Sequence, residues 1–392
     1  PVARGNQVIR VLALSPERFL GDLKVLAATG LFKIYLMPRY WQYAGLALHG
    51  IDNNLQRQFL ERFLRIYLRK IPLDLVIGTS LWYRQDIPWG AAAQRTGLPY
   101  VILHKECFKP EPLQKAASAE KALKFGTFMG ERLLVHNQPI ADALISHGYV
   151  SESHVTACGA MRMDAYVKEA LSSQGLRSAQ RKRPLVTYFS FTLGMGLDDR
   201  GIDPFPTDPS QGWFELFRDS HVAFACLARQ RPEVDFVIKT KWHGQWTQLI
   251  ENCVFEAGLV LGKIPNLEIV SVGSAHDLIL DSTVVCSFAS TTMLEAALAG
   301  KPVVVPHFGE VEKPNFRGRV KLLSSYHLFD IADSTVTFKS KIEQRLEEPQ
   351  VDPTVRERLN ELFELWIGPL DGSSLQNYVS ELKMVAKGEA IT

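Results

Sequence analysis

Apolar residues along this chain fall into short strand-like runs separated by stretches with helical spacing. Val8–Leu14 (VIRVLAL) is rich in β-branched residues and predicts a first buried strand. Leu20–Ala28 predicts a helix ended by Gly30, and Leu31–Leu36 (LFKIYL) predicts a second strand. Between Asn54 and Arg69, the residues Leu55, Phe59, Phe63, Leu64 and Tyr67 share one helical face. Pro72 closes that helix, and Asp74–Ile77 (DLVI) is the next strand. The same reading gives a helix over Ile87–Thr96, a turn at Gly97 and Pro99, and strands at Tyr100–Leu103 and Leu133–Val135. A helix over Gln138–His147 and a strand over Val155–Cys158 follow.

A polar, basic stretch, Ser173–Arg183 (SQGLRSAQRKR), then interrupts the alternation and predicts a linker. Beyond it the pattern restarts. Strands are expected at Leu185–Phe189, Phe236–Thr240, Leu267–Val270, Val284–Cys286 and Pro302–Val305. Helices are expected at Trp213–Gln230, Trp246–Ala257, His276–Leu280 and Thr292–Ala299. Strands alternating with helices imply parallel sheets covered on both faces. The expected fold class is therefore α/β with two Rossmann-like domains, at 1–175 and 183–368, followed by a terminal segment, 369–392. Ligands in such sheets bind at the carboxyl ends of the strands, so a cleft between the two lobes is the expected site.

Composition narrows the function classes. The 392 residues carry a net charge of +2, which gives no overall footprint for nucleic acid. No run of eighteen apolar residues predicts a membrane span, and residues 1–14 lack the shape of a signal peptide. Five scattered cysteines, Cys107, Cys158, Cys226, Cys253 and Cys286, form no CxxC pair. They read as reduced thiols of a cytoplasmic protein, with no disulfide framework and no metal site.

Candidate chemistry gathers at predicted strand ends. In Asp281–Pro306 (DSTVVCSFASTTMLEAALAGKPVVVP) a strand runs into Ser287, Ser290, Thr291 and Thr292, and the following helix carries Glu295. A helix N-terminus presents free amides and a positive dipole end, which suits phosphate; the same residues also suit an ordinary N-cap. Lys239, Lys241 and His243 follow the strand DFVIK and suit a phosphate or a solvated basic loop. Ser190 lies in the small-residue loop Tyr188–Gly196. His104, Lys105 and Glu106 follow the strand YVIL, and the loop before that strand carries Trp82 and Arg84, which suit sugar stacking or an ordinary loop cluster. Asp164 suits a helix cap over Ala165–Ser172, and Arg162 an anion or Asp164 itself. Asp371-Gly372-Ser373-Ser374 precedes a terminal helix, Leu375–Ala386.

These segments, in this order, resemble the GT-B glycosyltransferases of bacterial surface-polysaccharide assembly. The S-x-x-ST-x-x-x-E-A-x-x-x-G-K-P segment resembles their donor-binding element, also similar in UDP-N-acetylglucosamine 2-epimerases and CDP-glycerol transferases. G-x-x-R-x-D at Gly159–Asp164 resembles the element closing their N-terminal domain, and residues 371–374 resemble the start of a terminal helix that crosses back to it. Together with H-K-E and K-x-K-W-H they resemble the retaining β-Kdo transferases of glycosyltransferase family 99, although the K-x-HP proline is absent here.

That resemblance implies CMP-Kdo as donor, no metal or other cofactor, and a lipid-linked glycan acceptor, with peripheral association at the inner membrane face. It implies Asp164 as nucleophile and Glu106 as general base. Arg162, Ser190, Lys239, Lys241, His243, Ser287, Ser290, Thr291, Thr292 and Glu295 would bind the donor, and His104, Lys105, Trp82 and Arg84 the acceptor. The alternatives are a UDP-sugar or CDP-activated transferase, an epimerase relative, or a non-catalytic glycan-binding module.

Overall fold

The computed structural model describes residues 8–14, 20–36, 53–81, 86, 89–124, 126–173, 176–196 and 204–388. The chain divides into two compact units. The first holds residues 1–109, 115–165 and 364–392; the second holds 110–114 and 166–363.

The first unit is a parallel sheet of β1 (Ile9–Ala13), β2 (Phe32–Leu36), β3 (Leu75–Gly78), β4 (Tyr100–Leu103), β5 (Arg132–Val135) and β6 (Val155–Ala157). Its order is β2-β1-β3-β4-β5-β6. Strands β3, β4 and β5 are buried at every position, as a sheet covered on both faces requires. The two-residue strand period sorts their side chains. Leu12, Val76, Ile102 and Leu133 join one core with α2 (Asn53–Lys70), α3 (Trp89–Thr96), α4 (Pro112–Leu123) and α5 (Gln138–Ser146). Val11, Ile77, Val101 and Leu134 join the opposite core with α1 (Leu20–Ala28). Helix α4 was not expected; its buried residues are Gln114, Ser118, Ala119 and Ala122, which carry little apolar signal.

The second unit is a parallel sheet of β7 (Leu185–Phe189), β8 (Asp235–Lys239), β9 (Leu267–Val270), β10 (Val284–Ser287), β11 (Val303–Pro306) and β12 (Asp330–Ala332). The chain enters it through α6 (Asp164–Ser173) and the short α7 (Leu176–Ala179). Helices α8 (Phe214–Gln230), α9 (Gln245–Glu256), α10 (Ala275–Asp281), α11 (Thr292–Leu298), α12 (Pro314–Arg317), α13 (Thr335–Glu347) and α14 (Pro353–Trp366) follow in order. The sheet order β12-β11-β10-β7-β8-β9 reverses direction between β7 and β10. Such a switch point opens a crevice at the carboxyl ends of the strands.

The passage between units differs from the expected boundaries at 175 and 183. It falls inside α6, because Tyr166 already belongs to the second unit: its hydroxyl donates to the Glu295 carbonyl and its ring stacks on His276 at 4.1 Å. The described part of the polar stretch, residues 176–183, is not a free linker, since it begins with α7. Arg177 of α7 reaches Glu169, Asp277 and Asp281 at 2.8–3.0 Å.

The chain returns to the first unit inside α14 and ends in α15 (Ser374–Lys387). Tyr378, Leu382 and Val385 of α15 complete the core over β1, β3 and β4. A buried ion pair, Arg132–Glu381 at 2.7 Å, ties α15 to β5. Gly159 has φ +83°, and a Cβ there would lie 2.4 Å from the Ser374 hydroxyl. The G-x-x-R-x-D segment and the DGSS turn thus pack directly on each other.

Candidate functional site at the strand ends

In the second unit the crevice between β7 and β10 is lined by small and hydroxylic residues. After β10 the backbone passes through Ala289 at φ +49°, a left-handed conformation that costs an L-residue roughly 1 kcal/mol. That bend starts the seven-residue α11 directly behind the strand. Ser287 is buried and its hydroxyl bonds that of Thr292 at 2.7 Å. The Thr292 amide donates to the Ser290 hydroxyl at 3.3 Å. Thr291 stands at the cap position without a side-chain cap bond. Three of the four expected hydroxyls therefore order the turn itself.

Glu295, one turn into α11, is buried and faces His276 at 3.5 Å. His276 is held by its stack on Tyr166, and burial together with Glu295 and Glu169 pushes the Tyr166 phenol far above its usual range. Across the crevice, the Ser190 hydroxyl lies 2.8 Å from His221 Nε2, and Trp246 Nε1 donates to it at 2.8 Å. His221 Nδ1 is 2.6 Å from the Phe217 carbonyl, which makes Nδ1 the donor and Nε2 the acceptor. Ser190 therefore donates inward, to His221. Burial pushes the His221 imidazole down to about 4, so it is neutral at physiological pH. His221 and Trp246 were not singled out from the sequence; helix-borne residues inside regular elements give no local signal of this contact.

Beside them, Lys239 at the end of β8 is buried, and its ammonium donates to the Thr240 carbonyl at 2.9 Å. Burial lowers its pKa. Lys241 and His243 stand exposed beyond it, with the lysine ammonium 5.9 Å from the Trp242 ring centre. His243 Nδ1 bonds the Ser271 hydroxyl at 3.1 Å. Gly244, at φ +91°, turns this loop into α9.

The first unit presents a charged group at its own strand ends. His104 is buried; burial, and then the charges of His136, Lys109 and Lys105, push it well below the usual histidine range. His136, directly after β5, is pushed down to about 3 by burial, Arg162 and Lys105. Asp22 of α1 is raised by burial and pulled back by Arg162 and Lys105. Lys105 is half-buried, and Glu106 and Arg162 are exposed. Asp22 and His136 were absent from the sequence reading. His136 had the same strand-end signal as His104, whereas Asp22 reaches the group only through the fold.

Asp164 is buried, and it caps a different helix from the one expected. It is itself the first residue of α6, and its carboxylate accepts the amides of Ser374 at 3.2 Å and Leu375 at 2.7 Å, at the start of α15. Asp86, beyond β3, is fully buried; one oxygen accepts the Thr79 and Ser80 amides at 3.0 Å. Burial pushes its carboxyl up to about 7. Trp82 and Arg84 lie outside the described residues.

The five cysteines are free thiols; burial pushes Cys107 up to about 12 and Cys286 well above the usual thiol range, as expected of core residues. Among the described residues, no group of three or more His, Cys, Asp or Glu could hold a metal ion. None of their helices is long and apolar enough to cross a membrane.

Two parallel, doubly wound six-stranded units define the GT-B fold, which is shared by glycosyltransferases and UDP-N-acetylglucosamine 2-epimerases. Solved structures agree. A UDP-N-acetylglucosamine 2-epimerase matches with a TM-score of 0.59 at 11% identity, over 98% of each chain. A glycosyltransferase from Rickettsia africae matches with 0.53 at 11%, over 97% of this chain and 100% of that one. Anabaena HepE, solved in complex with UDP and glucose, matches with 0.52 at 13%, over 96% and 99%. No protein-family model matches the chain, and no curated protein matches it by sequence.

Proposed function

We propose that this chain is a glycosyltransferase whose sugar-nucleotide donor binds at the carboxyl ends of β7, β8 and β10. The observation that carries this is the switch-point crevice. There Ala289 bends the chain so that Ser287, Ser290 and Thr291 line the turn, Glu295 is held by His276 behind it, and Lys239 and Lys241 extend from the neighbouring strand. Two ammonium groups can offset the charge of a departing phosphate, and a buried carboxylate can accept from a ribose hydroxyl.

For the donor, the motif order favours CMP-Kdo. Its carboxylate would pair with Arg162, and Asp164 would attack the anomeric carbon as CMP leaves. An acceptor hydroxyl, deprotonated by Glu106, would then displace Asp164 and retain the configuration. The acceptor class is a glycan, lipid-linked and met at the membrane surface. The second reading is a UDP-sugar transferase or epimerase, favoured by the UDP and glucose bound in the Anabaena neighbour.

A thermal-shift panel of CMP, CDP, UDP, CMP-Kdo and UDP-N-acetylglucosamine separates them, because a ligand raises stability by mass action. Stabilisation by CMP-Kdo, and its hydrolysis in chelator without acceptor, supports the first reading. Stabilisation by UDP alone moves the donor to the second, with 2-epimerisation followed by proton NMR. No shift with any nucleotide overturns both.

A further inference from the structure

A second cavity lies at the opposite end of the same sheet, where β10 and β11 begin. Its volume is about 470 Å³, within the range of small-molecule sites. Thr283, Gly300, Lys301, Ser178 and Arg356 supply its polar wall, and Leu176 and Val351 are among its apolar lining.

Lys301 is only 3% exposed, and its ammonium donates to the Ser178 hydroxyl at 2.8 Å. Among the described residues no carboxylate comes within ion-pair distance of Lys301 or Arg356. The carboxylates around them are engaged elsewhere. Asp281, Asp277 and Glu169 bind Arg177, Asp330 binds Arg345 at 2.7 Å, and Asp352 accepts the Thr354 and Val355 amides. The Arg356 guanidinium sits about 3.4 Å from where a Gly300 Cβ would be, beside Lys301.

The walls are also held in place. Arg177 pins α7 to α10, and Arg345 donates to the Gln350 carbonyl at 3.0 Å. A buried ammonium without a counter-charge is unfavourable unless something pairs with it. Burial accordingly lowers the Lys301 pKa to about 8, against the pull of Asp281.

We propose that this cavity is a binding site for a small phosphate monoester. The phosphate is held by Lys301 and Arg356, and the organic body lies against Leu176 and Val351. A planar guanidinium beside an ammonium matches the oxygens of a phosphate. The site is separate from the donor crevice and does not depend on the reading of that crevice.

The test is phosphorus NMR line broadening of glycerol 3-phosphate by the full chain, with succinate and sodium chloride as competitors at matched ionic strength. Lys301→Met, Arg356→Gln and, as a control in the donor crevice, Lys241→Met are compared with the parent chain. The expected result is broadening weakened at least tenfold in Lys301→Met and Arg356→Gln but kept in Lys241→Met. Glycerol 3-phosphate is also expected to raise the melting temperature of the parent chain and not of Lys301→Met. Melting of the unliganded variants reports their folding, and Arg356→Gln carries the test should Lys301→Met fail to fold. Equal broadening in all four proteins overturns the site, and so does displacement by chloride, which would leave Lys301 as a counter-charge to the end of α11. Succinate binding more tightly than the phosphate overturns the ligand class.

Discussion

Replacing Asp164 by Asn perturbs two roles that can be measured apart. The carboxylate accepts the Ser374 and Leu375 amides at the first turn of α15, in a buried position. A hydrogen bond to a charged group contributes about 1.5–3 kcal/mol, and a carboxylate at a helix N-terminus adds up to about 2 kcal/mol when partly buried. An Asn side chain keeps one acceptor and turns an NH2 towards the other amide. The expected loss is therefore about 2–3 kcal/mol in the docking of α15.

Hydrogen exchange reads this directly. The amides of α15 should exchange roughly 30- to 150-fold faster in the variant, since about 1.4 kcal/mol corresponds to a factor of ten. Exchange in α15 within about threefold of the parent would refute the docking role.

The catalytic role needs a control that loosens the same contact and keeps the carboxylate. Gly159→Ala does so, because its Cβ would meet the Ser374 hydroxyl and its φ is +83°. If Asp164 is the nucleophile, transfer falls below detection in Asp164→Asn, no covalent sugar adduct appears by intact mass, and Gly159→Ala keeps measurable turnover. Equal losses in the two variants would leave Asp164 as a positioning residue only.

Three further outcomes follow from the same structure. Asp86 has a folded pKa of about 7 against roughly 3.9 unfolded, so the native state binds the extra proton between these values and stability falls as pH rises from about 4 to 7. Its contribution is up to about 4 kcal/mol, and Asp86→Asn should flatten the melting-temperature profile over that window; parallel profiles would refute the assignment. Ser190→Ala leaves His221 Nε2 and Trp246 Nε1 without their shared partner and should cost about 1–3 kcal/mol by urea unfolding, whereas no loss would mean that water replaces the hydroxyl. Glu381→Ala leaves the buried Arg132 guanidinium unpaired and should destabilise the first unit by about 3–5 kcal/mol; a change below about 1 kcal/mol would show the pair to be solvated.

Much of the fold was legible in the sequence because strand and helix periodicity are local properties. The bounds that the pattern gives to Leu20–Ala28, Tyr100–Leu103, Leu185–Phe189 and Leu267–Val270 are those of the structure. The strand-end positions of His104, Ser190, Lys239 and Ser287 came with them, since a buried apolar run shows where it stops. Helix α4 escaped because its buried residues are two alanines with Gln114 and Ser118, and β12, α13 and α14 lie outside the expected elements.

The partners of these residues were not legible, because they depend on contacts between distant segments. Nothing near Ser190 in sequence announces His221 or Trp246, and nothing near Glu295 announces His276 and Tyr166. The local pattern assigns Asp164 to the cap of its own helix, the nearest one available. The sheet topology instead brings α15 across to Asp164, and the missing side chain of Gly159 lets it approach. The sequence by itself determined two parallel α/β units and the ends of their strands. Tertiary structure alone decided which groups meet there, because hydrogen bonding, burial and charge pairing act across space and leave no periodic trace along the chain.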